Sequence, residues 1–259
     1  MERYVEGAKS SVSKVWSYLT FISDKKAKLT GQSSDGREIA LLTYVQQNAE
    51  KGNAESVLSA IDDFSHHTWL MTVGKEKGSI LESAVQKFQP RLALELGTYC
   101  GYSAIKIALK MTKPGSKLVS VEMNPLNSEV ATAIIDHAGL SSKVEVLEGT
   151  LTDVCDELGE ILDEMGAIHF DFIFLDHFKH CYLPDFLMLK EKGMLGKGTG
   201  IVADSIGFLG ASNYLKYIRE HGEEMETEEV MSSVEFMSWL PCTMTVSTYK
   251  ADLHKFLTE

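Results

Sequence analysis

Basic residues are in short supply. The chain has 25 Lys and Arg against 37 Asp and Glu, a formal net charge of −12. Gripping a nucleic-acid backbone takes clustered cations, so nucleic acid is not an expected partner, while small molecules and metal ions remain. Cysteine is scarce too: Cys100, Cys155, Cys181 and Cys242 lie far apart and form no C-x-x-C pair. Free thiols in a reducing compartment fit that pattern better than a disulfide framework does. No apolar run approaches the roughly 20 residues of a membrane span. No charged-apolar-small leader opens the chain either. The expectations are a cytoplasmic location and no integral membrane span. Internal repeats and low-complexity tracts are also absent.

What is present suits one large α/β domain with a short extension, given 259 residues and 44% hydrophobic content. Residues 1–36 form the extension. They hold an apolar stripe of Val12, Val15, Trp16, Leu19 and Ile22 at helical spacing, beside Lys14, Lys25, Lys26 and Lys28. Such a helix lies on a membrane surface, packs on its own domain, or packs on a second copy. A monomer or weak homo-oligomer is expected. Gly31–Gly36 reads as a flexible linker.

Residues 37–259 form the main domain. Helices are expected at Glu38–Ala49, Ala54–Phe64 and Ile80–Phe88. Strands at Leu92–Leu96, Lys117–Glu122, Lys143–Leu147, Phe170–Asp176 and Gly200–Asp204 then alternate with helices at Val130–Ala138, Asp153–Met165, Leu183–Lys192 and Ala211–Arg219. That order predicts a mostly parallel sheet with helices on both faces. Glu229–Phe236 and Thr243–Tyr249 have no helix between them and predict a C-terminal antiparallel hairpin. The acidic run Glu220–Glu229 reads as a solvated face or loop.

Leu92–Ala108 organises the chain. A buried strand runs into a turn bracketed by Gly97 and Gly101, and a helical apolar face follows. The arrangement is either an ordinary strand-to-helix turn or a cradle for a phosphate or nucleoside. Glu95 favours the cradle, because a carboxylate near a buried strand end needs a partner. Ligands of open parallel sheets sit beyond the strands' carboxyl ends. Those ends are Glu95 with Gly97, Glu122, Gly149, Asp176 with His177, and Asp204 with Ser205.

Glu122, about 20 residues beyond the glycines, is placed to accept ribose hydroxyls. G-T-Y-C-G lacks the G-x-G-x-x-G spacing for a pyrophosphate, so a nucleoside without phosphates fits better, S-adenosylmethionine being one. Asp176 and Asp204 make a hard-cation site such as Mg²⁺ takes, unless one of them caps a helix. D-H-F-K-H-C also offers zinc ligands in His177, His180 and Cys181, but no second cluster shows structural-zinc spacing. Helix-start packing is the plainer reading of His180 and Cys181.

E-L-G-T-Y-C-G-Y-S, V-E-M-N-P, F-L-D-H-F-K-H-C-Y-L-P-D and L-G-K-G-T-G-I-V-A-D together resemble the catechol O-methyltransferase family. W-L-M-T-V-G-K-E-K-G and S-S-V-E-F match family segments as well. The resemblance runs from about Ala40 to Tyr249 and leaves residues 1–36 outside. It implies a Rossmann-like class I methyltransferase fold with a seven-stranded sheet, and S-adenosylmethionine and Mg²⁺ as cofactors. Val73, Gly97, Tyr99, Ser103 and Glu122 would hold the methionyl part and ribose. Glu95, Thr150 and Asp176 would join the cofactor set, with Met123, His177 and Phe178 around the adenine. Asp176, Asp204 and Ser205 would bind the metal. Lys179 would be the general base, and Glu235 would hydrogen-bond the second substrate hydroxyl. Trp69, Met71 and Leu209 would wall the ring. Phe178 stands where the family has Trp, Ser205 where it has Asn, and Leu209 where it has Pro.

The chemistry is coherent. A catechol hydroxyl is a weak nucleophile at neutral pH, and chelation by Mg²⁺ favours its anion. A lysine accepts the proton only in its neutral form, which a neighbouring divalent cation favours. Methyl transfer then needs oxygen, methyl and sulfur held in line. Two other readings stand beside this one. One is a related cation-dependent enzyme with a larger phenolic substrate; the other is a non-catalytic cofactor-binding scaffold.

Overall fold

Alternation along each strand sets the layers. In the computed structural model, which describes residues 19, 23, 33, 35–206, 210–234 and 237–251, β1 (Leu92–Leu96) sends Ala93 to one face. Leu92, Leu94 and Leu96 go to the other. The parallel strands β2 (Lys117–Glu122), β3 (Val144–Glu148), β4 (Phe172–Leu175) and β5 (Gly200–Ile206) divide likewise. Phe172 and Phe174 join Ala93, whereas Ile173 and Leu175 join Leu94. Both faces are buried, as a parallel sheet requires.

Among the described residues, five helices cover the Ala93 face: α1 (Arg37–Asn48), α2 (Ala54–Ser65), α3 (Gly74–Phe88), α4 (Tyr102–Lys110) and α5 (Pro125–His137). The opposite face carries α6 (Leu151–Glu164), α7 (Tyr182–Glu191) and α8 (Ser212–Glu220). Deleting an aromatic as buried as Phe174 typically costs about 3–5 kcal/mol, and the two layers hold several. Local chemistry starts the helices. Asn124 caps α5 with Pro125 in its first turn, and Thr150 forms a capping box with Asp153 on α6.

The sheet has seven strands in the order β3-β2-β1-β4-β5-β7-β6. The last two, β6 (Met225–Val234) and β7 (Met237–Tyr249), pair antiparallel, and β7 also runs antiparallel to β5. Chain order reverses between β1 and β4, which leaves a crevice beyond their carboxyl ends. The expected α/β architecture and closing hairpin are therefore present.

Three boundaries differ in instructive ways. Helix α3 begins at Gly74 rather than Ile80, because Gly74, Lys77 and Gly78 are buried ahead of the apolar repeat. Strand β6 begins at Met225, inside the acidic run. Glu226, Glu228 and Glu229 are exposed there on an edge strand, where charge discourages pairing with another sheet. β4 is shorter than Phe170–Asp176, so Asp176 stands just past the ladder. Val12, Val15, Trp16 and Ile22 of the N-terminal stripe lie outside the described residues, as do Leu209 and Glu235. Leu19 is described and is exposed. Among the described residues no helix is long and apolar enough to cross a membrane.

Candidate active site

The turn after β1 has no room for a side chain at Gly97. Its φ is 99°, and a Cβ there would lie 2.5 Å from the Asp176 carbonyl oxygen. Tyr99 and Gly101 also adopt positive φ, and Gly101 leads into α4. Glu122, at the end of β2, faces this turn. The Tyr99 N–H donates to its Oε2 at 2.8 Å and the Asn124 N–H to its Oε1 at 2.9 Å. Burial pushes the Glu122 carboxyl up, and these amides pull against it. Backbone amides on both oxygens fix the carboxylate at the crevice.

Glu95 is fully buried on β1. The Ser120 hydroxyl donates to its Oε2, while Oε1 has no hydrogen-bond partner among the described residues. Burial pushes this carboxyl up to about 8, with the Ser103 and Ser120 hydroxyls pulling the other way. Stability from this group is therefore full below its ordinary value near 4.5 and is lost as pH rises through about 8. Relative to Glu95→Gln, which is neutral throughout, the wild-type unfolding free energy should fall between these values. The fall should be at most about 1.4 kcal/mol per pH unit. Denaturant titrations of both proteins near each end of the window check this, and parallel pH profiles would contradict it.

The second half of the site is a cluster of two carboxylates and two ammoniums. Asp204, on β5, accepts from Lys77 Nζ at 2.7 Å and from the Ser205 hydroxyl at 2.7 Å, both through Oδ2. Its Oδ1 is buried without a partner among the described residues. Lys77 also donates to Ser205 Oγ at 3.3 Å. Asp176, past β4, accepts from Lys179 Nζ at 3.3 Å. The same ammonium donates to the Tyr182 hydroxyl at 2.6 Å and to the Asp204 carbonyl at 3.1 Å. Tyr182 donates in turn to that carbonyl at 3.0 Å.

Burial, then the neighbouring Asp204 charge, pushes the Asp176 carboxyl upward. At Asp204 burial also pushes upward, but the Lys77 and Lys179 ammoniums outweigh it and hold the group low. Ser205 has φ 51°, in the left-handed region, beside a register shift between β5 and β7. Irregularities of this kind re-aim side chains at the rims of sheets.

The O-methyltransferase family model matches residues 51–214, a span that includes Gly97, Glu122, Asp176, Lys179 and Asp204. A catechol O-methyltransferase B of Danio rerio is 43% identical over 180 residues, covering 69% of this chain and 67% of that one. The chain belongs to the O-methyltransferase family. It is an enzyme of the catechol O-methyltransferase type. A probable O-methyltransferase of Mycobacterium tuberculosis is 39% identical over 225 residues, covering 85% of this chain and 95% of that one. Among solved structures, an O-methyltransferase of Streptomyces achromogenes involved in tomaymycin synthesis, in complex with SAM, superposes with a TM-score of 0.60. It has 19% identity and covers 85% of this chain and 100% of that one. This last likeness bears on the fold.

In this O-methyltransferase the remaining expected residues fall into distinct places. Val73 is buried just before α3, and Trp69 is buried while Met71 and Met123 are exposed. Ser103 is buried in the first turn of α4. His177 turns its Nε2 to Asp185 Oδ2 at 2.9 Å and stacks on Tyr182. Burial holds its pKa low despite Asp185. Phe178 lies against the exposed His180. Thr150 serves as the α6 cap, its hydroxyl donating to Asp153 Oδ2 at 2.6 Å. Among the described residues no three His, Cys, Asp or Glu side chains converge as a metal site, so the zinc alternative at His177, His180 and Cys181 gains no support.

Four residues of the site escaped sequence reasoning. Lys77 and Tyr182 join the acidic centre. Arg37 donates to the Trp69 carbonyl at 2.6 Å, and the Tyr99 hydroxyl donates to Glu38 Oε1 at 3.1 Å. The first turn of α1 thus ties the Trp69 segment to the turn after β1. Lys77 carried one legible signal: it stands four and eight residues before Leu81 and Val85, on the buried face of α3.

Proposed function

We infer that this O-methyltransferase transfers a methyl group from S-adenosylmethionine to one hydroxyl of a catechol or similar vicinal aromatic diol, with Mg²⁺ in the acidic centre. The observation that carries the reading is a convergence at one sheet edge. Glu122 stands where a ribose acceptor belongs, Asp176 and Asp204 form a carboxylate pair, and Lys179 lies against that pair.

The residues fit both groups. Gly97 lets the turn after β1 pack directly on the Asp176–His177 backbone, and Glu95 Oε1 is a buried acceptor just before that turn. These features suit a cofactor rich in hydroxyls and positive charge. S-adenosylmethionine supplies an electrophilic methyl group on a sulfonium. Asp176 and Asp204 are hard oxygen donors, and the unpartnered Asp204 Oδ1 is an acceptor in want of a cation. Bound there, Mg²⁺ supplies Lewis-acid polarisation of two adjacent substrate oxygens.

The chain's own residues then do the following. Glu122 orients the ribose, and Val73, Tyr99 and Ser103 enclose the methionyl part. Met123, His177 and Phe178 border the adenine. Lys179, held by Tyr182, would accept the proton of the reacting hydroxyl at Nζ in its neutral form, after its ammonium has released a proton to solvent, a form that a bound divalent cation nearby would favour. Trp69, Met71 and Leu209 wall the aromatic ring, and Glu235 receives the second hydroxyl. Residues 37–259 form the catalytic domain, with residues 1–36 as an extension, and the enzyme works in the cytoplasm as a monomer or weak homo-oligomer. Incubation with methyl-labelled S-adenosylmethionine and catechol should yield a labelled monomethyl ether. Cofactor binding without product would contradict the reading.

Ser205 gives a finer test. Its hydroxyl is engaged by Asp204 and Lys77, so it serves the metal through a water rather than directly. Asn tolerates left-handed backbone better than most residues, and its carbonyl reaches farther. Ser205→Asn should therefore lower the Mg²⁺ concentration for half-maximal activity by about threefold or more, since a direct oxygen ligand replaces a water. Saturated kcat should change little. A Mg²⁺ titration in which the Asn variant needs as much metal or more would remove Ser205 from the metal position.

A further inference from the structure

The most enclosed cation of the acidic centre is not Lys179 but Lys77, which arrives from a different layer of the fold. It stands in the first turn of α3, on a face otherwise apolar through Leu81 and Val85. Its side chain is 6% exposed and that of its partner Asp204 is 4%. A lysine is seldom so buried without a specific counter-charge. Here the ammonium sits 2.7 Å from Asp204 Oδ2 and 3.3 Å from Ser205 Oγ. The Cys242 thiol donates to Ser205 Oγ at 3.3 Å. With Lys179 on Asp176, the two carboxylates already have two positive partners. A divalent ion that takes Asp204 at its open Oδ1 therefore meets a resident charge of its own sign on the same carboxylate.

We propose that Lys77 is the resident counter-ion of the metal site: it holds Asp204 and Ser205 in place when no divalent ion is bound, and its charge opposes one that binds there. The inference rests on reading Asp176 and Asp204 as the metal ligands. Physically it follows from competition between like charges. A buried carboxylate left bare is costly, so Lys77 keeps the site formed. The same contact lowers apparent metal affinity, because the ion binds a carboxylate whose charge an ammonium already balances. Metal binding is thereby coupled to the start of α3, the helix entered directly from Val73. Lys77 is a positioning residue in this account, since it acts on the metal through Asp204.

The test reads metal binding without turnover. Mn²⁺ is titrated into the full-length protein, with neither cofactor nor catechol, and free Mn²⁺ is followed by electron paramagnetic resonance. Lys77→Met removes the ammonium and keeps an unbranched apolar stem; Lys77→Gln keeps a donor for Asp204 and removes only the charge. Both should bind Mn²⁺ at least tenfold more tightly than wild type. Their melting temperatures should fall without metal and recover more on Mn²⁺ addition than the wild type's. Gln is the deciding variant if Met does not fold. If wild type binds Mn²⁺ and the folded variants bind it equally or more weakly, the counter-ion role is wrong and the metal site stands. If no folded protein binds Mn²⁺ at millimolar concentration, the metal reading itself falls, and this inference with it.

Discussion

Lys179→Met is expected to lower kcat by roughly 10²-fold or more, the usual scale for losing a general base, while the dissociation constant for S-adenosylmethionine stays nearly unchanged. The expectation rests on how the side chain is held. Its Nζ has three oxygen neighbours: the Tyr182 hydroxyl at 2.6 Å, the Asp204 carbonyl at 3.1 Å and Asp176 Oδ1 at 3.3 Å. Its stem is confined as well, since a Cβ on Gly210 would lie 2.9 Å from the Lys179 Cβ. Such confinement fixes the point at which a proton is taken up, which is where a general base gains over bulk solvent. Methionine has similar length and no basic atom, so it removes the proton acceptor and keeps the packing. Steady-state kinetics with catechol decides the matter. A variant within threefold of wild type would remove Lys179 from that role.

Glu122→Ala acts on the other half of the site. It should weaken S-adenosylmethionine binding by about 1.5–3 kcal/mol, the scale of hydrogen bonds to a charged acceptor, or roughly ten- to 150-fold in the dissociation constant. The carboxylate also receives the Tyr99 and Asn124 amides, so its loss leaves two donors unanswered and lowers the melting temperature. Glu122→Gln separates the effects. Its carbonyl keeps one amide partner, so stability recovers in part while the loss of negative charge still weakens the cofactor. Calorimetric titration of the three proteins checks this. An unchanged dissociation constant in both variants would mean the ribose is held elsewhere.

The sheet was legible because burial on both faces forces apolar runs such as Leu92–Leu96 and Phe172–Leu175, and strand ends follow from where those runs stop. Hence Glu122, Asp176 and Asp204 could be placed on one edge before any coordinates. The site's internal wiring was not legible. Lys77 lies in Gly-Lys-Glu-Lys-Gly, a stretch whose polarity hides the start of α3, and its partner is 127 positions away. Arg37 and Glu38 look like solvated helix-start residues, yet both are buried, because Asp35, the Trp69 carbonyl and Tyr99 meet them. The left-handed backbone of Ser205 leaves no mark in residue type, since serine is not selected for that conformation. Conversely, Thr150 enters the expected cofactor set only through the family resemblance, and in the structure its hydroxyl is engaged by Asp153 as the α6 cap.

The central claim is that two adjacent hydroxyls are held at the Asp176–Asp204 centre with a divalent cation while one of them receives the methyl group. The most direct measurement compares catechol with phenol as methyl acceptors, each with Mg²⁺ and with a chelator, using methyl-labelled S-adenosylmethionine and product detection by mass. The account predicts a monomethyl ether from catechol with Mg²⁺ present, its loss on chelation, and little product from phenol under either condition. Equal rates with phenol, or catechol turnover that the chelator leaves untouched, would contradict it.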